Sequence, residues 1–321
     1  AFWLSRPARA RAIVLDARDR DYLRDVARNT WKYFEASMGE AGHWLPPDNI
    51  QEKPVRQVAD RTSPTNIGMA LLATLSAQDL GFLDAPEALD RIDRTITTLE
   101  GLEKHEGHLL NWYDIGSLAP LQPRYVSTVD SANLAGSLLA LAAGVRRLEI
   151  ESGLWEAGSR RRAALADRAE ALANAMDFAF LYDRDRRVFT IGFRLADMEG
   201  PGRPDASYYD LLASEARLAS FIAIAKGDIP QEHWFQLGRG LVSVGGIPTL
   251  VSWSGSMFEY LMPLLIMRSY PDTLLHRSCG AAVRAQIAHG RSQNVPWGIS
   301  ESAFNIVDRH GTYQYKAFGV P

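Results

Sequence analysis

Two kinds of helical segment alternate along this chain, and that alternation limits what it can fold into more than any other feature. Residues 86–103 carry Leu89, Ile92, Ile96 and Leu99 on one face and charge on the other. Residues 134–148 are almost wholly Leu, Ala and Gly, and 208–225 are apolar on every side except for Glu215 and Arg217. An amphipathic helix covers a core and faces water, whereas a helix apolar all round is enclosed by others. Alternating the two builds two concentric helical layers. About eight long helices are legible. A closed ring of six pairs needs twelve, so the chain is expected to stop short of a full domain.

The remaining segments fit that frame. Residues 1–19 are basic and irregular and read as a linker or arm, which places the domain at 20–321. The first helix, about 20–37, has Leu23, Val26, Trp31 and Phe34 at the spacing of a buried face. Trp44, in a loop with Pro46 and Pro47, reads as core before it reads as a sugar platform. Ser63 and Pro64 suit the cap and first position of a second helix faced by Ile67, Leu71, Leu72 and Leu75. Pro120 and Pro123 predict an extended segment, and Asp130 a cap for the apolar helix that follows. A long Ala-rich helix is expected over 158–181, a short one from Pro230, and others over 256–268 and 273–291. Residues 188–193 give the one clear strand signal, a short hairpin on one rim.

Composition excludes more than it identifies. Acids and bases are mixed and the net charge is −3, which argues against a nucleic-acid footprint or a polybasic membrane footprint. Cys279 is the single cysteine, so no internal disulfide forms. The seven histidines lack paired ligand spacing, and no metal or other cofactor is expected. Phosphate-binding glycine motifs and the Gly-x-Ser-x-Gly elbow are absent. The longest apolar run, near Leu261–Met267, contains Pro263 and is too short for a membrane span. The first residues do not read as a signal peptide, and both ends read as cut from something longer.

Chemistry points to two carboxylates. Glu215 and Glu301 each interrupt a run of apolar, small and aromatic residues. Burying a carboxylate with neither partner nor task costs several kcal/mol, roughly. Arg217 is a poor partner for Glu215 if both lie on a helix, because residues two apart do not face each other. Glu301 equally suits the first turn of a short helix. Two distant carboxylates meeting in an aromatic-lined cleft are what glycosidic chemistry requires. Trp112, Tyr113, Trp253 and Trp297 are candidate sugar platforms. Asn66, Asp114, Asp130, Asn133 and Asp210 are candidate partners for sugar hydroxyls. His233, beside Trp234, reads as a packed residue and not as a metal ligand.

Several strings together resemble one family. They are Arg61-Thr-Ser-Pro-Thr-Asn-Ile-Gly68, Asn111-Trp-Tyr-Asp114, Tyr125-Val-Ser-Thr-Val-Asp-Ser131, Tyr209-Asp-Leu-Leu-Ala-Ser-Glu-Ala-Arg217 and Ser252-Trp-Ser-Gly-Ser-Met-Phe-Glu-Tyr-Leu-Met-Pro263. Ile299-Ser-Glu-Ser302 and Tyr313-Gln-Tyr-Lys-Ala-Phe-Gly319 extend the match over roughly residues 20–321. The chain resembles the middle, glucoamylase-like domain of bacterial cyclic β-1,2-glucan synthases.

That resemblance implies an all-α (α/α)6 barrel and a retaining transglycosylase that closes linear β-1,2-glucan into a ring. By the same resemblance Glu301 is the nucleophile and Glu215 the general acid/base, kept protonated by apolar surroundings. Tyr209, Arg217, Glu259 and Tyr315 join the substrate-binding set. The implied parent sits on the cytoplasmic side of the inner membrane, with a glycosyltransferase domain before this segment and a phosphorylase-like domain after it. The family domain continues past Phe318-Gly-Val-Pro321, so its closing helices are expected outside this chain. Two other readings remain: a β-1,2-glucan hydrolase on the same barrel, and a non-catalytic glucan-binding module.

Overall fold

A computed structural model describes residues 14–148 and 155–320. Nine α-helices occur among them: α1 (Ala17–Ser37), α2 (Pro64–Asp79), α3 (Ala85–Gly101), α4 (Thr128–Arg147), α5 (Trp155–Ala175), α6 (Arg217–Lys226), α7 (Glu232–Gln236), α8 (Met257–Leu261) and α9 (Leu274–Gln293). The chain divides into two compact units. The larger holds Asp21–Tyr209 and Leu218–His233; the smaller holds Asp210–Arg217, the chain from Trp234 onward and the described residues up to Arg20.

In the larger unit α4 packs between α2 and α5, and α3 packs on both of those. The sequence dictates this arrangement. Leu134, Leu138, Leu141, Ala142 and Val145 of α4 are each at most 1% exposed. Each buried leucine is worth roughly 1.5–3 kcal/mol. α4 is long and apolar enough to cross a membrane, which corrects the expectation that no such run exists, but 72% of its apolar window is buried inside the fold. In α3, Leu89, Ile92, Ile96 and Leu99 face inward as their spacing predicts. Outward, Arg168 of α5 meets Asp93 at 2.5 Å and Glu100 at 2.8 Å. The first turns of α1 differ from expectation: Trp31 is buried, whereas Leu23 is 50% and Val26 45% exposed.

Small antiparallel sheets are the larger departure from an all-α expectation. The main one orders Arg203–Pro204, Gly192–Arg194, Pro120–Ser127, Asn111–Asp114 and Arg61–Thr62. Most of these strands are two to four residues long, too short to leave a period in the sequence. Gly192 lets the Tyr125 ring cross it, since a Cβ there would stand 2.2 Å from the Tyr125 oxygen. Two strands of this sheet run straight into helices. Arg61–Thr62 leads to α2, capped by Ser63 with Pro64 in the first turn as expected. Pro120–Ser127 leads to α4, where Ser127 is the cap and Asp130 sits inside the first turn, correcting the cap assignment. Residues 182–183 and 188–189 form a short antiparallel hairpin, as the strand signal predicts.

In the smaller unit, α9 packs on the strand Ile247–Leu250 and on α8. Leu212, Leu237, Leu250, Met257, Tyr260 and Cys279 form the apolar core. Leu241–Val244 and Ile247–Leu250 make a hairpin whose two-residue turn, Gly245-Gly246, has φ of 57° and 80°, conformations that glycine adopts without strain. Two long helices expected here are shorter. Residues 208–216 form a strand and a turn before α6, and 256–268 hold only α8 and a 3-10 turn. Glu301 opens a strand, Glu301–Val307, paired with Tyr313–Ala317; it does not start a helix.

Candidate active site

Glu215 lies on the turn that leads into α6 and is 8% exposed. Its neighbours Leu212, Ala213 and Ala216 are buried too. Because this stretch is not helical, the spacing argument against Arg217 does not apply. Arg217 is 3% exposed, and burial lowers its pKa, opposed by the charges of Cys279, Glu215 and Tyr260. Its guanidinium donates to the carbonyls of Ser214 (2.9 Å), Glu259 (2.9 Å) and Tyr260 (2.7 Å). A rigid fork of donors suits several backbone oxygens at once. Arg217 thereby ties the Glu215 turn to the C-terminal half of α8.

The other end of α8 holds the Glu301 segment. Met257 N–H donates to Ile299 O at 3.1 Å, and Phe258 N–H to Ser300 Oγ at 3.0 Å. Gln286 of α9 grips the same segment, accepting from Ile299 N–H at 2.7 Å and donating to Ile299 O at 3.0 Å. Past the hairpin the chain returns to this place. A Cβ on Gly319 would lie 1.6 Å from Ser254 O, and Val320 N–H donates to Gly255 O at 3.3 Å. Both feet of the Glu301 hairpin therefore stand on the loop and helix that Arg217 holds from the opposite end.

Glu259 organises that loop. It is 4% exposed, and its two oxygens accept from the N–H groups of Trp253, Ser254 and Ser256 and the hydroxyls of Ser252, Ser254 and Ser256. Ser256 and Glu259 also close a capping box on α8. A carboxylate offers about four lone-pair positions, so this one is filled by its own loop. Trp253 is held by its backbone and turns a 55% exposed indole outward.

Glu301 is arranged differently. It is exposed, and its Oε2 accepts from the Tyr315 hydroxyl at 2.7 Å. The register sets Ala303 opposite Tyr315 and Glu301 opposite Ala317, so the two side chains form a diagonal cross-strand pair. Trp297 precedes this hairpin and is 52% exposed.

The larger unit gathers another part of the expected set at its two strand-to-helix junctions. Thr65 donates to Asp130 at 2.5 Å and accepts from Asn133 Nδ2 at 3.1 Å, bridging the first turns of α2 and α4. Asn133 is 1% exposed, and its Oδ1 has no partner among the described residues. Asn66 donates to Asp48 at 3.3 Å, Asp48 pairs with Arg61 at 3.0 Å, and Arg61 lies 4.9 Å from the Trp112 ring centre. Tyr113 is fully buried, and its hydroxyl bonds to Glu103 O and Leu110 N, so its ring is not an open platform. Asp114 accepts from the Ser117 N–H and hydroxyl in a local turn, and those bonds lower its pKa. Tyr209 is a half-buried strand residue opposite Phe189. Asp210 is exposed, and its carbonyl accepts from Gly238 N–H at 2.6 Å. His233 is packed, as its neighbours suggest: it is 0% exposed between Ser220 (2.7 Å) and Arg187 O (2.9 Å).

Sequence reasoning missed Thr65, Asp48, Arg61, Gln286 and Ser300. Ser256 and Glu259, three apart, carry the capping-box signature and were readable as such. The others have no local signal, because their partners are distant in the chain.

The chain is 36% identical to the cyclic β-(1,2)-glucan synthase NdvB of Rhizobium meliloti (strain 1021) over 444 residues, which covers 99% of this chain and 16% of the relative. This chain is similar to one segment of a cyclic β-(1,2)-glucan synthase. That synthase is far longer, and the chain spans 16% of it. Residues 25–130 match a family described as "Protein of unknown function (DUF3131)". A glucoamylase candidate from Bacteroides fragilis NCTC 9343 superposes with a TM-score of 0.68 at 18% identity, covering 98% of this chain and 76% of its own. An endo-β-1,2-glucanase from Talaromyces funiculosus, in complex with sophorose, gives 0.72 at 15% identity, covering 92% and 67%. The chain thus has a helix-rich fold shared with glucoamylase-like structures, with small sheets added.

Proposed function

We propose that this chain is the glucan-cyclising segment of a cyclic β-1,2-glucan synthase: a retaining transglycosylase on an (α/α)6 barrel. The observation that carries the reading is the pinning of the Glu215 turn and the Glu301 strand to opposite ends of α8. A five-residue helix is only about 7 Å long. Retaining carboxylate pairs stand about 5–5.5 Å apart and inverting pairs about 6.5–9.5 Å. Two side chains anchored over so short a base suit either.

In this reading Glu301, held through one oxygen by Tyr315, attacks the anomeric carbon with the other. The bond from that carbon to the leaving glycosidic oxygen breaks, and Glu215 gives that oxygen its proton. The 2-hydroxyl at the far end of the same glucan then attacks the anomeric carbon. Glu215 takes the hydroxyl proton and Glu301 departs. Ring closure outruns hydrolysis because the bound chain end has a high effective concentration. Flanking glycosyltransferase and phosphorylase-like domains would supply and trim the linear chain on the cytoplasmic side of the inner membrane.

Incubation with linear β-1,2-glucan tests this. Rings resistant to exo-acting glucosidases are expected from the native chain and none from Glu301→Gln or Glu215→Gln. The likeness to the Talaromyces endo-β-1,2-glucanase favours a second reading, hydrolysis on the same scaffold. Linear products whose anomeric configuration is inverted would establish that reading and remove the first.

A further inference from the structure

Beside the Glu301 hairpin lies a cleft of about 510 Å³ that the carboxylate chemistry does not use. One wall is the end of α9, where Ile287, Arg291 and Asn294 stand four and three residues apart and so share a stripe. The facing wall is Trp297. The neighbouring stripe of α9 holds that wall in place. Gln286 pins Ile299 from one turn earlier. Gly290 permits close approach, since a Cβ there would meet Val295 O at 2.9 Å and Trp297 Cβ at 3.1 Å.

Structural duties explain part of this cluster. Asn294, at φ 53°, is the left-handed cap of α9. Arg291 is a cation in the last turn, where the helix dipole favours one. Neither duty uses the Asn294 amide or the Arg291 fork. No ion pair or side-chain hydrogen bond engages either group among the described residues. Both are exposed, as is the Trp297 indole. A flat aromatic face flanked by a planar multi-donor and an amide, over an apolar floor, matches a pyranose ring: C–H groups on its face and hydroxyls around its rim.

We propose that Trp297, Arg291 and Asn294 form a glucosyl subsite that holds the glucan chain away from the scissile bond. The proposal rests on the glucan-active reading above. The subsite makes Arg291 and Asn294 binding residues, and α9 sets chain register as well as bracing Glu301.

The test uses variants that keep each structural duty. Asn294→Gly retains the left-handed cap and loses the amide. Arg291→Lys retains the last-turn charge and loses the fork. With linear β-1,2-glucan as probe, calorimetry in the Glu301→Gln background should show affinity falling about ten- to hundredfold for Arg291→Ala and Trp297→Ala. Asn294→Gly and Arg291→Lys should show a smaller loss at native melting temperature. In the active chain the loss should fall on KM more than on kcat. Wild-type-like affinity in Arg291→Ala and Asn294→Gly would overturn the subsite and leave the glucan-active reading standing. Absence of glucan binding and turnover in the unmutated chain would overturn both.

Discussion

In the larger unit the buried face of α4 is leucine: Leu134, Leu138 and Leu141 are each at most 1% exposed, enclosed by neighbouring helices. In the smaller unit the corresponding places around α8 belong to a carboxylate and a guanidinium, Glu259 and Arg217, each 4% exposed or less. The first region is held by area removed from water, which is non-directional. The second adds to its own apolar core a set of hydrogen bonds of fixed geometry around the short helix α8. A bundle tolerates small shifts, whereas a pair of reacting groups does not. The contrast separates what keeps the chain folded from what keeps a site in register.

The largest effect that would break this contrast is catalytic. Glu301→Gln should lower turnover of linear β-1,2-glucan at least about a thousandfold, roughly 4 kcal/mol, with the melting temperature unchanged, because Glu301 is exposed. A matching fall in stability would mean that Glu301 is a structural residue after all. Next is Glu259→Ala, which strips the partners from three loop N–H groups. It should cost about 3–5 kcal/mol, read by urea denaturation. If its midpoint is that of the native chain, polar pins do not hold the smaller unit. Leu138→Ala, in the larger unit, should cost about 2–5 kcal/mol by leaving a cavity, with activity per folded molecule retained.

A pH dependence sharpens the comparison. His108 is buried in the larger unit, its Nε2 2.8 Å from Asp177 O, and burial pulls its pKa from 6.5 down to about 4. The unfolded chain therefore takes up a proton before the native one does. The stability that neutral His108 contributes is complete above pH 6.5 and is lost as pH falls from there toward 4. The loss amounts to roughly 3 kcal/mol and levels off below that. His108→Gln should flatten this part of the urea midpoint profile. The smallest effect is expected on the surface: Arg168→Ala, which removes pairs to Asp93 and Glu100, should cost about 1 kcal/mol or less.

The long helices of the larger unit were legible because burial there follows a simple rule. Leu89, Ile92, Ile96 and Leu99 repeat at the helical spacing over about three turns, and Ser63-Pro64 marks a start. The smaller unit was less legible for a physical reason. A strand of four residues spans only two repeats and a helix of five about one, too few to leave a period to read. Its hairpin at 241–250 did carry a signal, Gly245-Gly246 between alternating residues, which went unread beneath the helical pattern. Of the site, the carboxylates stood out as polar residues in apolar runs. Arg217 looked like a weak neighbour of Glu215, and its actual partners, the carbonyls of Glu259 and Tyr260, lie more than forty residues downstream. Backbone acceptors have no letter in a sequence.

The brevity of α8 has a consequence for how such a protein can change. One added residue would lengthen it by about 1.5 Å and swing one end by about 100° relative to the other. Distance and aim between the groups hung from it would change together, in a single step. In the proposed reading an insertion there would move the chemistry abruptly, and gradual drift toward another product would have to begin in side chains, with the length of this helix left alone.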